Sequence, residues 1–296
     1  MPPSPAVVDT KLTCRSRSAK GDPLALMIKT SATESELLVV DMVDAIHPVV
    51  RCALSPASGG RFISATRIAF WAGRNLGVGD IAAGLVAATA TLPTVPTDGA
   101  FSPDGSVFAF RVGGDTSGLS THLFIAGQDR TLVVRTGIGG HGGTRLGPAT
   151  QLKFSADGKY LLSVDSLFAI FEAGPPNFLV YDLNGSTVFQ SATAAFGAWA
   201  TQGNKLYFLA QPQHGDIRGD VHSWDPVAGE LRVAQGLPSY FWPALAPDDR
   251  RLVFNSYDSA GLPSLESRRR CWSESAAVHW NQHAPCVCRA QRYLVE

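Results

Sequence analysis

Two loops and one tail hold the residues whose types and spacing suit chemistry. The segment Gly137-Ile-Gly-Gly-His141-Gly-Gly-Thr-Arg145-Leu-Gly147 places a histidine and an arginine among six glycines. Backbone N–H groups bared by glycine, with Arg145 beside them, suit an anion such as a carboxylate or phosphate. The plainer reading is a connection between strands, because no strand-to-helix context marks a phosphate loop. A second segment, Ala210 to Asp220, gathers His214, Asp216 and Arg218. Binding residues concentrate on loops held by a rigid scaffold. His141, Arg145, His214, Asp216 and Arg218 are therefore the candidate binding residues, with a solvated turn as the alternative for each loop. Phe168–Pro176 is a longer apolar insertion suited to covering a channel end or facing a partner. His47, His122 and His222 sit singly in or beside apolar strands and read as packing residues.

Motifs of catalysis are missing. No Gly-x-Ser-x-Gly elbow, His-Glu-x-x-His pair or P-loop occurs. The expectation is a protein without catalytic residues, cofactor or metal ligands. In the tail, Cys271, His279, His283, Cys286 and Cys288 include a His-x3-His and a Cys-x-Cys. The latter is tighter than the Cys-x(2–4)-Cys spacing of structural zinc.

The elements that carry these loops come from a repeat. Phe101-Ser-Pro-Asp-Gly-Ser-Val-Phe-Ala-Phe110, Phe154-Ser-Ala-Asp-Gly-Lys-Tyr-Leu-Leu162 and Leu245-Ala-Pro-Asp-Asp-Arg-Arg-Leu-Val-Phe254 share one pattern. Weaker copies start at Trp199 and Phe62, so successive starts lie 39, 53, 45 and 46 residues apart. That is a blade period. Asp104-Gly105 and Asp157-Gly158 are expected to supply positive φ to two-residue turns, and Asp248 marks the corresponding turn of a third copy. Asp182 and Asp225 end further strands in Asp-x(2–3)-Gly turns. These aspartates read as turn formers rather than acids or bases.

The Phe-Ser-Pro-Asp-Gly and Tyr-Asp-Leu-x-Gly elements resemble the WD40-like propeller repeats of the TolB type. More distantly they resemble the N-terminal propellers of prolyl-oligopeptidase-like enzymes. The resemblance implies an all-β fold, a single β-propeller of four-stranded antiparallel blades. Residues 21–263 hold about six at some 40–45 residues each. The blades are assigned to Leu24–Val43, Arg61–Leu92, Ala100–Gly137, Gln151–Ser191, Gly197–Gly236 and Tyr240–Pro263, the first and last incomplete and able to complete one another. By the same resemblance the protein is a non-catalytic scaffold that binds a protein, peptide or glycan at its loop face or central channel. The alternatives are a propeller fragment of a prolyl-oligopeptidase-like peptidase and a small propeller hydrolase. An extracytoplasmic location is also implied, although Met1-Pro2-Pro3-Ser4-Pro5 opens no recognisable signal peptide.

Residues 1–20 read as a non-core arm and 264–296 as an atypical extension. The latter is open to three readings: an appendage, a metal site, or a segment translated out of frame. Five cysteines, an odd number, leave the redox compartment open. The 296 residues are neutral overall, yet the arm carries +3, the extension +2 and the repeat region −5. A mildly acidic propeller disfavours nucleic acid and anionic membranes as partners. No apolar run is long enough for a membrane-spanning helix.

Overall fold

Short runs of Val, Phe, Leu and Tyr follow each turn, and in the computed structural model they form strands. The structure describes residues 10–14, 24–30, 35–41, 49–113, 119–135, 151–164, 178–210, 218–238, 241–245, 249, 251–257 and 263–269. No helix occurs among them. The first sheet joins β1 (Lys11–Cys14), β2 (Leu24–Thr30), β3 (Ser35–Asp41) and β4 (Val49–Ser55) in the order β1-β4-β3-β2. The second is β5 (Gly59–Phe62), β6 (Arg67–Ala72), β7 (Asn75–Asp80) and β8 (Leu85–Thr91). The third is β9 (Asp98–Phe101), β10 (Val107–Gly113), β11 (Leu119–Ile125) and β12 (Gln128–Arg135). The fourth contains β13 (Gln151–Phe154), β14 (Tyr160–Val164), β15 (Phe178–Asp182) and β16 (Thr187–Ser191). The fifth contains β17 (Ala194–Trp199), β18 (Leu206–Ala210), β19 (Arg218–Asp225) and β20 (Gly229–Pro238). In the last, β21 (Phe241–Leu245), β22 (Arg251–Tyr257) and β23 (Pro263–Arg269) make three strands.

All pairings are antiparallel, and the inner strands meet in succession: β2 with β5, β5 with β9, β9 with β13, β13 with β17, β17 with β21. Four-stranded sheets set side by side along their inner strands are the architecture of a β-propeller.

Strand periodicity explains the continuous apolar runs. Successive side chains point to opposite faces of a sheet. On β6, Ile68 and Phe70 join a core shared with the first sheet, whereas Ala69 and Trp71 join one shared with the third. On β10, Phe108 and Phe110 face back toward the second sheet while Val107 and Ala109 face the fourth. Both faces are dry, so both sets of positions are apolar. Arg111, on the latter face of β10, is fully buried. Its guanidinium donates to Asp98 (3.1 Å), to Ser163 Oγ (3.2 Å) and to the Val164 carbonyl (2.8 Å), tying the third sheet to the fourth.

The termini differ from the sequence expectation. Lys11–Cys14, placed there in a non-core arm, is the outer strand of the first sheet, and Cys14 is disulfide-bonded to its register partner Cys52. The first sheet is thus completed from its own N-terminal side, without a strand borrowed from the last. At the other end β23 continues past Pro263 to Arg269. The rest of the tail, with its Cys and His residues, lies outside the described residues.

The turns are also built differently. Ser102–Gly105 closes through a Gly105 N–H to Ser102 carbonyl bond of 3.0 Å, and Gly105 alone takes a positive φ, of 75°. Ser155–Gly158 repeats this, again at 3.0 Å and φ 75°. Each is a longer loop around a type I turn, in which Asp serves as a side-chain acceptor rather than as a positive-φ residue. Ala126-Gly127, with φ 50° and 82°, is the two-residue turn with positive φ at both positions.

Candidate functional site

Four inner strands, β5, β9, β13 and β17, line an open cavity of about 450 Å3. Three of them carry a glycine two residues before the aromatic that opens a repeat copy: Gly60, Gly99 and Gly197. A Cβ on Gly99 would stand 2.4 Å from Phe108 Cζ, and one on Gly197 2.5 Å from Leu162 Cδ2. Glycine therefore lets the inner strand lie close against the large side chains behind it. The residue between glycine and aromatic lines the cavity. At that position stand Arg61, Ala100, Lys153 and Ala198, two long cations alternating with two methyl groups. Trp71, Phe101, Phe154 and Trp199 supply the walls.

Each cation leans toward the next sheet. Arg61 Nη1 lies 3.4 Å from the Phe101 carbonyl and Lys153 Nζ 3.5 Å from that of Gly197. Trp199 Nε1 donates to the Lys153 carbonyl at 2.9 Å, fixing the indole at the rim. Crowding by protein lowers the pKa of both Arg61 and Lys153, because it weakens hydration of the charged form. Among the described residues neither is ion-paired, and no Asp or Glu lines the cavity. Asp98, next to Gly99, is held by Arg111. Burial raises its pKa, outweighing the Arg111 charge and the hydrogen bonds from Gly99 and Arg111. The arrangement can hold an anion against aromatic surface. Neither cation stands out by residue type or motif; the signal is positional, one residue before each repeat aromatic.

The sequence-derived candidates fall elsewhere. His141, Arg145, His214 and Asp216 lie outside the described residues, as do Asp248, His47 and the Phe168–Pro176 insertion. Arg218 opens β19 opposite Pro238, and its side chain is likewise outside. Those loops join β12 to β13, β14 to β15 and β18 to β19.

Four of the five expected turn aspartates are among the described residues. Ser102 Oγ donates to Asp104 Oδ1 (2.6 Å) and accepts from the Val107 N–H (3.0 Å). Ser155 Oγ donates to Asp157 (2.8 Å) and accepts from Tyr160 (3.1 Å). Asp182 accepts from Ser186 N–H at 2.8 Å, and Asp225 from Val227 at 2.8 Å. All four act on backbone or neighbouring hydroxyls, as turn formers do.

His122 and His222 stand at equivalent places. Each is the register partner of a phenylalanine on its sheet's second strand, with ring centroids 4.9 Å apart for Phe110–His122 and 5.5 Å for Phe208–His222. Each also meets an acid on the fourth strand, Asp129 at 3.0 Å and Glu230 at 2.6 Å from Nδ1. His122 Nε2 lies 2.8 Å from Ser120 Oγ, so Ser120, His122 and Asp129 have the connectivity of a nucleophile triad. In the fifth sheet the corresponding residue before histidine is Asp220, and the His–acid pair persists. The shared part is a clamp of imidazole between third and fourth strands. Among the described residues no three His, Cys, Asp or Glu side chains converge as for a metal.

The sequence matches no protein-family model. Nor does it match any curated protein. Among solved structures it is similar to TolB from Acinetobacter baumannii, at 18% identity over 84% of this chain and 63% of that one, with a TM-score of 0.48. It is also similar to the β-propeller domain of the Trilobed protease from Pyrococcus furiosus, at 11% identity, 85% and 69% coverage and a TM-score of 0.44. A third is the Cps50 (Swd1) β-propeller domain from Myceliophteria thermophila, at 10% identity, 88% and 86% coverage and a TM-score of 0.49. The chain thus spans 63% of the length of the TolB structure.

Proposed function

We propose that this propeller is a non-catalytic scaffold that binds a protein, peptide or glycan, and that the cavity between its inner strands is the binding site. The observation that carries this is the convergence of Arg61, Lys153 and four aromatic walls on one space of about 450 Å3. Concave, largely apolar spaces with a few convergent polar groups are where ligands bind. The Cys14–Cys52 disulfide favours an oxidising compartment, in keeping with an extracytoplasmic place of action.

Two tryptophans in the cavity wall make the test direct. The purified chain is titrated with a defined peptide library and an oligosaccharide panel while indole fluorescence is followed. Saturable quenching is expected, lost in Ala100→Trp, which fills the space while circular dichroism stays unchanged. Identical titrations for both proteins would remove the cavity from consideration. The hydrolase alternative draws on Ser120, His122 and Asp129. A fluorophosphonate probe is expected to leave the protein unlabelled, and modification of Ser120 would establish the alternative.

A further inference from the structure

Resting on the cavity as the binding site, we propose that its ligand is a peptide bearing a carboxylate, and that Arg61 and Lys153 receive that group. Charge complementarity is the first ground. Two cations and no acid line the space among the described residues, and the adjacent carboxylate, Asp98, is engaged by Arg111. Geometry is the second. Arg61 and Lys153 occupy the same position on β5 and β13, with only the alanine of β9 between them in the sheet sequence. Their contacts to the Phe101 and Gly197 carbonyls are long, 3.4 and 3.5 Å, and use one donor nitrogen each. A guanidinium has five N–H donors in a fork that matches two carboxylate oxygens, and an ammonium adds a mobile point charge. Desolvation is the third. Protein displaces part of the water around both groups and lowers their pKa, and an arriving anion restores stabilisation to the charged forms.

The remaining lining selects a peptide over a bare anion. Trp71, Phe101, Phe154 and Trp199 put apolar and aromatic surface beside the cations, suited to the side chain next to a carboxylate. A neutral glycan would stack on those rings but leave the two charges without a counterpart. The volume lies in the range that encloses a small ligand or a few terminal residues.

Labelled hexapeptides with free C-termini, the same peptides amidated, and benzoate as a small carboxylate are each titrated into the intact chain. The free-acid peptides are expected to bind at least about tenfold more tightly than the amides, because amidation removes the charge-assisted hydrogen bonds to both cations. Arg61→Gln and Lys153→Gln should each remove most of that preference, and Lys153→Arg should retain it. Added salt should weaken the acid series more than the amide series. Amides carrying an internal Asp or Glu that match the free acids would place a side-chain carboxylate in the site and keep the inference. Benzoate binding as tightly as the peptides would overturn the peptide assignment. Equal binding of acids and acid-free amides, insensitive to both glutamine variants, would overturn the carboxylate inference but leave cavity binding intact. No quenching by any ligand would overturn both.

Discussion

Asp104 and Asp157 show how single residues secure the turn from an inner strand to the second strand of its sheet. The Ser102 hydroxyl donates to Asp104, and with the Ser106 bonds it holds that carboxyl below its usual pKa against a smaller opposing effect of burial. For Asp157 burial works in the opposite direction, but bonds from Lys159, Ser155 and Asn204 together outweigh it. A depressed carboxyl stabilises the fold above its unfolded pKa, and that contribution is lost as pH falls through the folded value. Melting temperature is therefore expected to drop below about pH 4. Asp104→Asn should start lower at neutral pH and show a shallower acid limb in a pH series of thermal melts. Asp98 has the reverse sign: its raised pKa favours the fold at low pH and loses that benefit as pH rises through the folded value. In the third copy Asp249 replaces the glycine and still adopts a φ of 54°. Its carboxylate accepts from the Thr201 N–H and hydroxyl, both at 2.8 Å, which links the fifth and sixth sheets.

At the scale of the element, β1 has the most to lose. It is four residues long and pairs only with β4 in its sheet. The Cys14–Cys52 bond closes a sequence separation of 38 residues across that pair. Loop-closure entropy assigns such a cross-link about 4 kcal/mol. Cys14→Ser, or reduction of the native chain, is expected to lower the melting temperature by several degrees and to speed amide exchange along β4. Equal melts with and without reductant would show that strand pairing alone secures β1. The first sheet also carries a partly buried pair between Asp41 and Arg51, with Arg51 Nε donating at 2.9 Å.

For the molecule as a whole, contacts between sheets decide stability, because no four-stranded sheet covers both of its own faces. Arg111 is the clearest test. It is fully buried, lies on the third sheet and donates to two residues of the fourth. Arg111→Ala takes one donor each from Asp98, Ser163 and the Val164 carbonyl, while Asp98, one-third exposed, keeps the Gly99 N–H; the expected cost is about 2–3 kcal/mol. Denaturant melts measure this directly. A loss under about 1 kcal/mol, the size of one ordinary hydrogen bond, would mean that the apolar cores carry the seam without it.

Strand positions and the blade architecture were legible in the sequence because each copy repeats a local rule. An aromatic ends the inner strand, a serine-aspartate-glycine turn follows, and an apolar run supplies alternate residues to two cores. That information lies within a single short segment, and Asp104, Asp157, Asp182 and Asp225 are the turn formers it implies. The cavity was not legible, since its lining comes from positions 61, 100, 153 and 198, each bland within its own strand. Only the side-by-side packing of inner strands brings Arg61 and Lys153 to one space, and only crowding there makes their charge chemically distinctive. The Cys14–Cys52 bond follows the same logic: strand pairing brings the two residues together across 38 positions of chain. Sequence alone determined the unit and its repetition; tertiary structure decided which side chains meet, because burial and proximity are properties of the assembled sheets.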